Sequence, residues 1–154
     1  VNGDLHGAGA PGRPDAICDQ IGGLHWPGTH WVAYYWNTRT EHPSLRLKEP
    51  CDGWWVSESA KPDARAFKDR SALRGMPTTP VNVSEEGLVI SGGAAQVWTG
   101  GTEADPGSRC GPDWNDKNTV GMTGWSGVDV SRWMNDNPSR GCEAEAHLYC
   151  IEQP

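Results

Sequence analysis

Thr29-His30-Trp31-Val32-Ala33-Tyr34-Tyr35-Trp36-Asn37-Thr38 is the stretch on which the fold turns. Aromatic and β-branched side chains crowd its centre from His30 to Trp36. Such side chains suit a pleated, half-buried surface, so the run predicts a strand. Upstream, residues 1–16 are rich in Gly and Pro, and Ala16 to Leu24 predicts one short helix. Downstream, further short strands are predicted at Trp54-Trp55-Val56, at Gly87-Leu88-Val89-Ile90, at Ala95-Gln96-Val97-Trp98-Thr99 and at His147-Leu148-Tyr149-Cys150-Ile151. Val128–Met134 fits a short helix and a short strand equally. From Glu103 to Gly127 the chain is polar and rich in turn residues. A connection that long inside a compact domain is usually functional or held by a bridge, and Cys110 is a candidate to hold it. The class expected is α+β, mostly short antiparallel strands and long loops.

Composition narrows the possibilities. At 154 residues the chain is expected to form one domain, 1–154, large enough to bury a core. Its 20 Gly and 12 Pro favour turns, while 9 Trp are not what a disordered polymer carries. The formal charge of −7 argues against nucleic acid or an anionic membrane surface as partner, since both need a basic footprint. No apolar run approaches the ~20 residues that span a bilayer, so no membrane insertion is expected. The chain opens at Val1 with no signal peptide, as a processed or trimmed chain would.

Cysteines are the next signal. Cys18 lies near the start, Cys51 follows, Cys110 comes after a long gap, and Cys142 and Cys150 close the chain. The residues alone leave the pairing open: any of the five could be the leftover thiol, and the other four allow three connectivities. Disulfides of this kind belong to an oxidising compartment, so a secreted, extracellular or cell-surface location is expected.

Around these cysteines the chain resembles a known family. Asp15-Ala16-Ile17-Cys18 followed by Gly28-Thr29-His30-Trp31-Val32-Ala33 looks like the opening of endostatin, the C-terminal domain of certain non-fibrillar collagens. Val97-Trp98-Thr99-Gly100, and Cys142 with Leu148-Tyr149-Cys150-Ile151-Glu152, look like its close. Bacterial surface proteins with endostatin-like domains carry similar blocks. The likeness runs from about Val1 to Glu152. It implies a compact C-type-lectin-like fold with two nested disulfides, Cys18–Cys150 outside and Cys110–Cys142 inside. Cys51 would then be an unpaired or intermolecular thiol and a route to a homo-oligomer.

Departures from the family pattern matter equally. Animal endostatins bind heparin through surface arginines and hold zinc with a histidine-rich N-terminus. Here the N-terminus offers His6, and Val32 stands where an arginine is expected. Arg13 and Arg39 do not make a patch. Lys61, Arg65, Lys68, Arg70 and Arg74 are interrupted by Asp63 and Asp69; five cations less two acids leave +3, which suits a solvated face. His25, His30 and His42 lack the short spacing of a zinc site and are expected to be structural or exposed. Gly124-Trp125-Ser126-Gly127 lacks the strand–elbow–helix setting of a nucleophilic serine. No enzyme is expected.

The loop after Cys110 holds the sharpest chemical signal. Glu103, Asp105, Asp113, Asn115, Asp116 and Asn118 offer hard oxygen atoms of the kind calcium takes. Calcium-dependent C-type lectins carry a Trp-Asn-Asp motif before the penultimate cysteine; Trp133-Met134-Asn135-Asp136 is similar with one residue inserted, and Trp114-Asn115-Asp116 is intact in another place. Calcium is therefore the cofactor to weigh, with Asp113, Asn115, Asp116, Asn135 and Asp136 as ligands. Turn formation by the same Asn and Asp residues is the competing account. Trp31, Trp36 and Trp98 are expected in the core. In Trp54-Trp55 neighbouring side chains point to opposite faces, so at most one can be buried in a single core. Trp114, Trp125 and Trp133 lie in polar surroundings and are candidate ligand-binding indoles.

The function implied is adhesion by a secreted, non-enzymatic domain, recognising an extracellular protein or glycan through the Trp-rich, acidic region from Glu103 to Asp136. A calcium-dependent lectin and a self-assembling structural subunit are the alternatives. Asn82-Val83-Ser84 would accept a glycan in a eukaryotic source.

Overall fold

The computed structural model describes residues 13–36, 42–48, 50, 53–56, 65–90, 95–101, 110–111, 114, 116, 118–127, 130–135 and 140–154, the side chains of Arg13 and Trp55 excepted. Helix α1 spans Arg13–His25. Pro14 stands in its first turn, where a missing N–H costs nothing. Pro27 cannot continue it, and Gly28 at φ +91 turns the chain back toward the first strand.

Among the described residues eight short strands follow: β1 His30–Ala33, β2 Trp54–Trp55, β3 Arg65–Phe67, β4 Gln96–Trp98, β5 Val120–Gly121, β6 Thr123–Trp125, β7 Arg140–Gly141 and β8 Cys150–Gln153. They pair antiparallel as β1–β8, β2–β3, β4–β6 and β5–β7. The first pair aligns His30 with Gln153 and Ala33 with Cys150. Single bonds link the pairs: Tyr34 N–H donates to Tyr149 O (2.8 Å), and Trp36 N–H to Thr99 O (2.8 Å). Val97 also makes a parallel bridge with His147. β1, the C-terminal segment, β4 and β6 thus lie in sequence across the centre of the described structure.

Side chains alternate across that sheet with the two-residue period of a strand. Tyr34, Val97, Tyr149 and Ile151 enter one core with Trp54, Phe67 and Leu73. Ala33, Tyr35, Trp98 and Cys18 enter the other with Cys110, Cys142 and Trp114. A sheet covered on both faces explains why the founding run is apolar almost throughout.

The strands are shorter than their sequence patterns. β1 stops at Ala33 because Tyr34 to Trp36 cross from the C-terminal segment to Thr99 instead of extending the ladder. Residues 37–38 lie outside the described set. Gly87–Ile90 is no strand; Val89 makes one bridge to Val83 across a turn from Ser84 to Gly87, and Leu88 and Val89 are exposed. The final strand begins at Cys150 rather than His147, whose backbone is given to β4. β3, β5, β6 and β7 have little periodicity to announce them. Residues 130–132 form a 3-10 turn.

The resemblance implied two nested disulfides, and both are present: Cys18–Cys150 and Cys110–Cys142. The outer one ties α1 to β8 and the inner one lies fully buried.

A candidate binding cleft beside the C-terminal strand

α1 lies along the free edge of β1. Asp15 and Asp19, one helical turn apart, face Ala33 and Trp31, two residues apart on the strand. A helical turn rises ~5.4 Å and two strand residues ~6.6 Å, so the spacings nearly match. Asp15 Oδ1 accepts the Ala33 N–H (3.0 Å), and Asp19 Oδ1 accepts the Trp31 N–H (3.0 Å). That bond holds the Asp19 carboxyl below its ordinary range. Arg46 pairs with the other Asp15 oxygen, donates to Ala33 O (3.3 Å) and sits 4.8 Å over the Tyr35 ring. Burial pushes the Tyr35 hydroxyl up to about 12, against the opposing charge of Arg46.

Trp31 continues the clamp. Its ring lies where a side chain on Gly22 would be, 2.1 Å from the position of a Cβ. Its Nε1–H donates to Thr29 Oγ1 (2.7 Å), which donates in turn to Trp26 O (2.6 Å). The Trp26 and Trp31 rings are 5.0 Å apart. The pair is half-buried, so Trp31, expected in the core, instead forms part of a wall.

That wall bounds a cleft of about 760 Å³. Ile17, Ile21, Trp26 and Trp31 line one side, Trp54, Phe67, Val81 and Val83 the other, and residues 147–154 run between them. The volume lies within the ~300–1,000 Å³ of small-ligand sites, and the lining is mainly apolar with a few polar groups, as binding sites are. Among the described lining residues Glu85 and Glu152 are the acidic ones, both exposed. Neither has an ion-pair partner among the described residues.

Two of the three indoles expected to bind ligand, Trp114 and Trp133, are not where a ligand could reach them. Trp114 is 2 % exposed and Trp133 5 %. Polar sequence neighbours concealed this, because each indole N–H finds a distant carbonyl. Trp114 Nε1–H donates to Trp36 O (3.2 Å) and Trp133 Nε1–H to Gly75 O (2.8 Å). Gly100 at φ +71 makes room for the first ring. Trp133 lies among Tyr34, Phe67 and Tyr149, with ring centroids 4.9–5.6 Å away. Both are core residues, and the stacking role expected for them is withdrawn. Trp125 is half-buried against Gly127, with the Arg132 guanidinium 5.4 Å from its ring. Trp54 is buried, Trp36 and Trp98 are buried as expected, and the Trp55 side chain lies outside the described set.

Of the five proposed calcium ligands, Asp113, Asn115 and Asp136 lie outside the described residues, as does Cys51. Asp116 Oδ1 accepts the Asn118 N–H (2.9 Å), the turn-forming use of an aspartate. Asn135 is exposed and has a partner. Among the described residues no group of three His, Cys, Asp or Glu could hold a metal. His42 caps the 3-10 turn Pro43–Arg46, its Nδ1 accepting the Ser44 N–H (3.1 Å). Ser126 is buried and donates to Ala95 O (3.0 Å), a structural use. No helix among the described residues is long and apolar enough to cross a membrane.

No protein-family model matches the chain, and no curated protein matches its sequence.

Proposed function

We propose that this chain is a secreted, non-enzymatic binding domain of endostatin-like, compact C-type-lectin-like fold, whose work is adhesion to an extracellular protein or glycan. The observation that carries the reading is the open apolar cleft between α1 and the β2–β3 side, built on a disulfide-tied strand. Two disulfides suit an oxidising compartment. Recognition is assigned to the cleft instead of the Glu103–Asp136 region, because Trp114 and Trp133 are committed to the core.

The test is solid-phase binding to a panel of extracellular matrix proteins and glycosaminoglycans, with calcium and with chelator. Trp26→Ala, at the cleft wall, should weaken binding by about tenfold or more, as loss of an aromatic anchor does. Its melting temperature should change little. No binding by the wild type, or equal binding by Trp26→Ala, would defeat the reading. Binding abolished by chelator would select the lectin alternative.

A further inference from the structure

The cleft runs along a sheet edge that no strand among the described residues covers. Bonding in an antiparallel ladder alternates. Tyr34 N–H donates to Tyr149 O, so Val32 bonds with Ile151 and His30 with Gln153. Trp31 and Ala33 turn their N–H groups the other way, onto Asp19 and Asp15. By the same alternation Cys150 and Glu152 turn theirs away from β1. On that side β4 meets the chain at His147, through Trp98 N–H to His147 O and His147 N–H to Gln96 O (both 2.9 Å). Beyond His147, the N–H groups of Cys150 and Glu152 and the Cys150 carbonyl have no hydrogen-bond partner among the described residues. The Glu152 carbonyl accepts the Gln153 side-chain amide (3.2 Å). One edge of the β1–β8 pair is therefore sealed by carboxylates, while the other lies in the cleft and is open among the described residues.

Building on the proposed binding role, we propose that the occupant is an extended peptide of a partner protein, added as a strand to Cys150–Gln153. An added strand would complete the unpaired backbone groups and send its side chains alternately to the two walls. Both walls are apolar, Ile17 and Trp31 on one side and Trp54 and Val83 on the other, so the segment is apolar along its length. The exposed carboxylates of Glu85 and Glu152 ask for Lys or Arg beside it, and among the described residues no Lys or Arg lines the cleft to neutralise them. A second copy of the chain is disfavoured at this edge. Pairing the edge with itself would bring acidic Glu152 side chains together in a protein of formal charge −7.

The experiment selects linear octapeptides from a phage-displayed library on wild type and on Glu152→Pro in parallel. Residue 152 does not bond with β1, and proline is tolerated where an edge N–H faces outward, so the substitution blocks the added strand and spares the ladder. Wild type should enrich apolar segments flanked by Lys or Arg. A selected peptide should bind Glu152→Pro about tenfold more weakly, as a lost hydrogen bond and an unpaired acceptor require. Glu152→Gln should lose about threefold, the scale of an exposed charge pair. In the wild type, the peptide should slow hydrogen exchange at the Cys150 and Glu152 amides by about tenfold or more. That measurement decides the matter alone if Glu152→Pro fails to fold. Unchanged exchange, equal binding by Glu152→Pro, or enrichment of acidic sequences would overturn the proposal. So would the same protection arising from a concentration-dependent dimer, which would assign the edge to a second copy. Matrix binding lost in Trp26→Ala but kept in Glu152→Pro would sink strand addition and leave the binding role standing.

Discussion

Replacing Cys18 and Cys150 by alanine should cost this chain much of its stability. The bridge joins residues 132 apart, and in the chain-entropy relation a loop of that length constrains the unfolded chain by about 5 kcal/mol. Removing the fully buried Cys18 sulfur adds about 1 kcal/mol of lost burial. The sum, about 6 kcal/mol, is comparable with the whole stability of many domains, about 5–15 kcal/mol. Little in α1 compensates. Ile17 and Ile21 are only half-buried and Leu24 is 74 % exposed, so the Asp15 and Asp19 bonds and the Trp31 ring on Gly22 would be left to hold the helix. The assay is urea unfolding of wild type and the Cys18→Ala/Cys150→Ala variant, followed by fluorescence. The midpoint should fall steeply, and the slope should rise because an uncrosslinked unfolded chain exposes more surface. A loss below about 2 kcal/mol with unchanged slope would refute the reasoning, since the bridge would then not be restricting an expanded unfolded state.

Further outcomes are expected. Gly124→Ala places a Cβ 1.8 Å from Trp133 O and should destabilise by about 1–3 kcal/mol or more, whereas Gly23→Ala meets nothing within 4 Å and should gain up to about 1 kcal/mol of helix propensity; thermal melts compare them. In alkali, the folded chain holds the Tyr35 proton more tightly than the unfolded chain does. That contribution is therefore whole below pH 10 and lost as pH rises toward about 12, with buried Tyr149 shifted in the same direction. Tyr149→Phe gives up a 2.9 Å bond to Trp133 O and should cost about 1–3 kcal/mol at neutral pH in urea melts, while softening the alkaline loss. Cys51 is the thiol outside both bridges; non-reducing electrophoresis should show a dimer that Cys51→Ser removes, and a monomer in both would end the assembly alternative. Calcium against chelator should leave the melting temperature unchanged. A bound ion at a hundredfold excess over its Kd would add ~2.7 kcal/mol, a shift of ~5–10 °C, and would restore the lectin alternative.

Much of the frame was legible in the residues themselves. α1, β1, β2 and β4 follow from local signals: Pro at the helix ends, aromatic runs, and glycines behind the strands. Those signals are local because propensity and turn chemistry act over a few residues. The outer disulfide was readable through the resemblance of the segments around Cys18 and Cys150, and its presence sets the C-terminal segment beside α1.

The tertiary structure decided what the side chains are for. Trp114 and Trp133 looked exposed because their neighbours are polar, yet carbonyls of Trp36 and Gly75, far away in sequence, satisfy their N–H groups and admit them to the core. Trp31 looked buried, yet Gly22 draws its ring onto α1 at the cleft wall. That the Cys150 and Glu152 N–H groups face away from β1 could not be read from any motif, because which strands meet, and where they part, depends on contacts more than a hundred residues apart. Local chemistry determines which elements form; only the packing of distant segments determines which edge stays open.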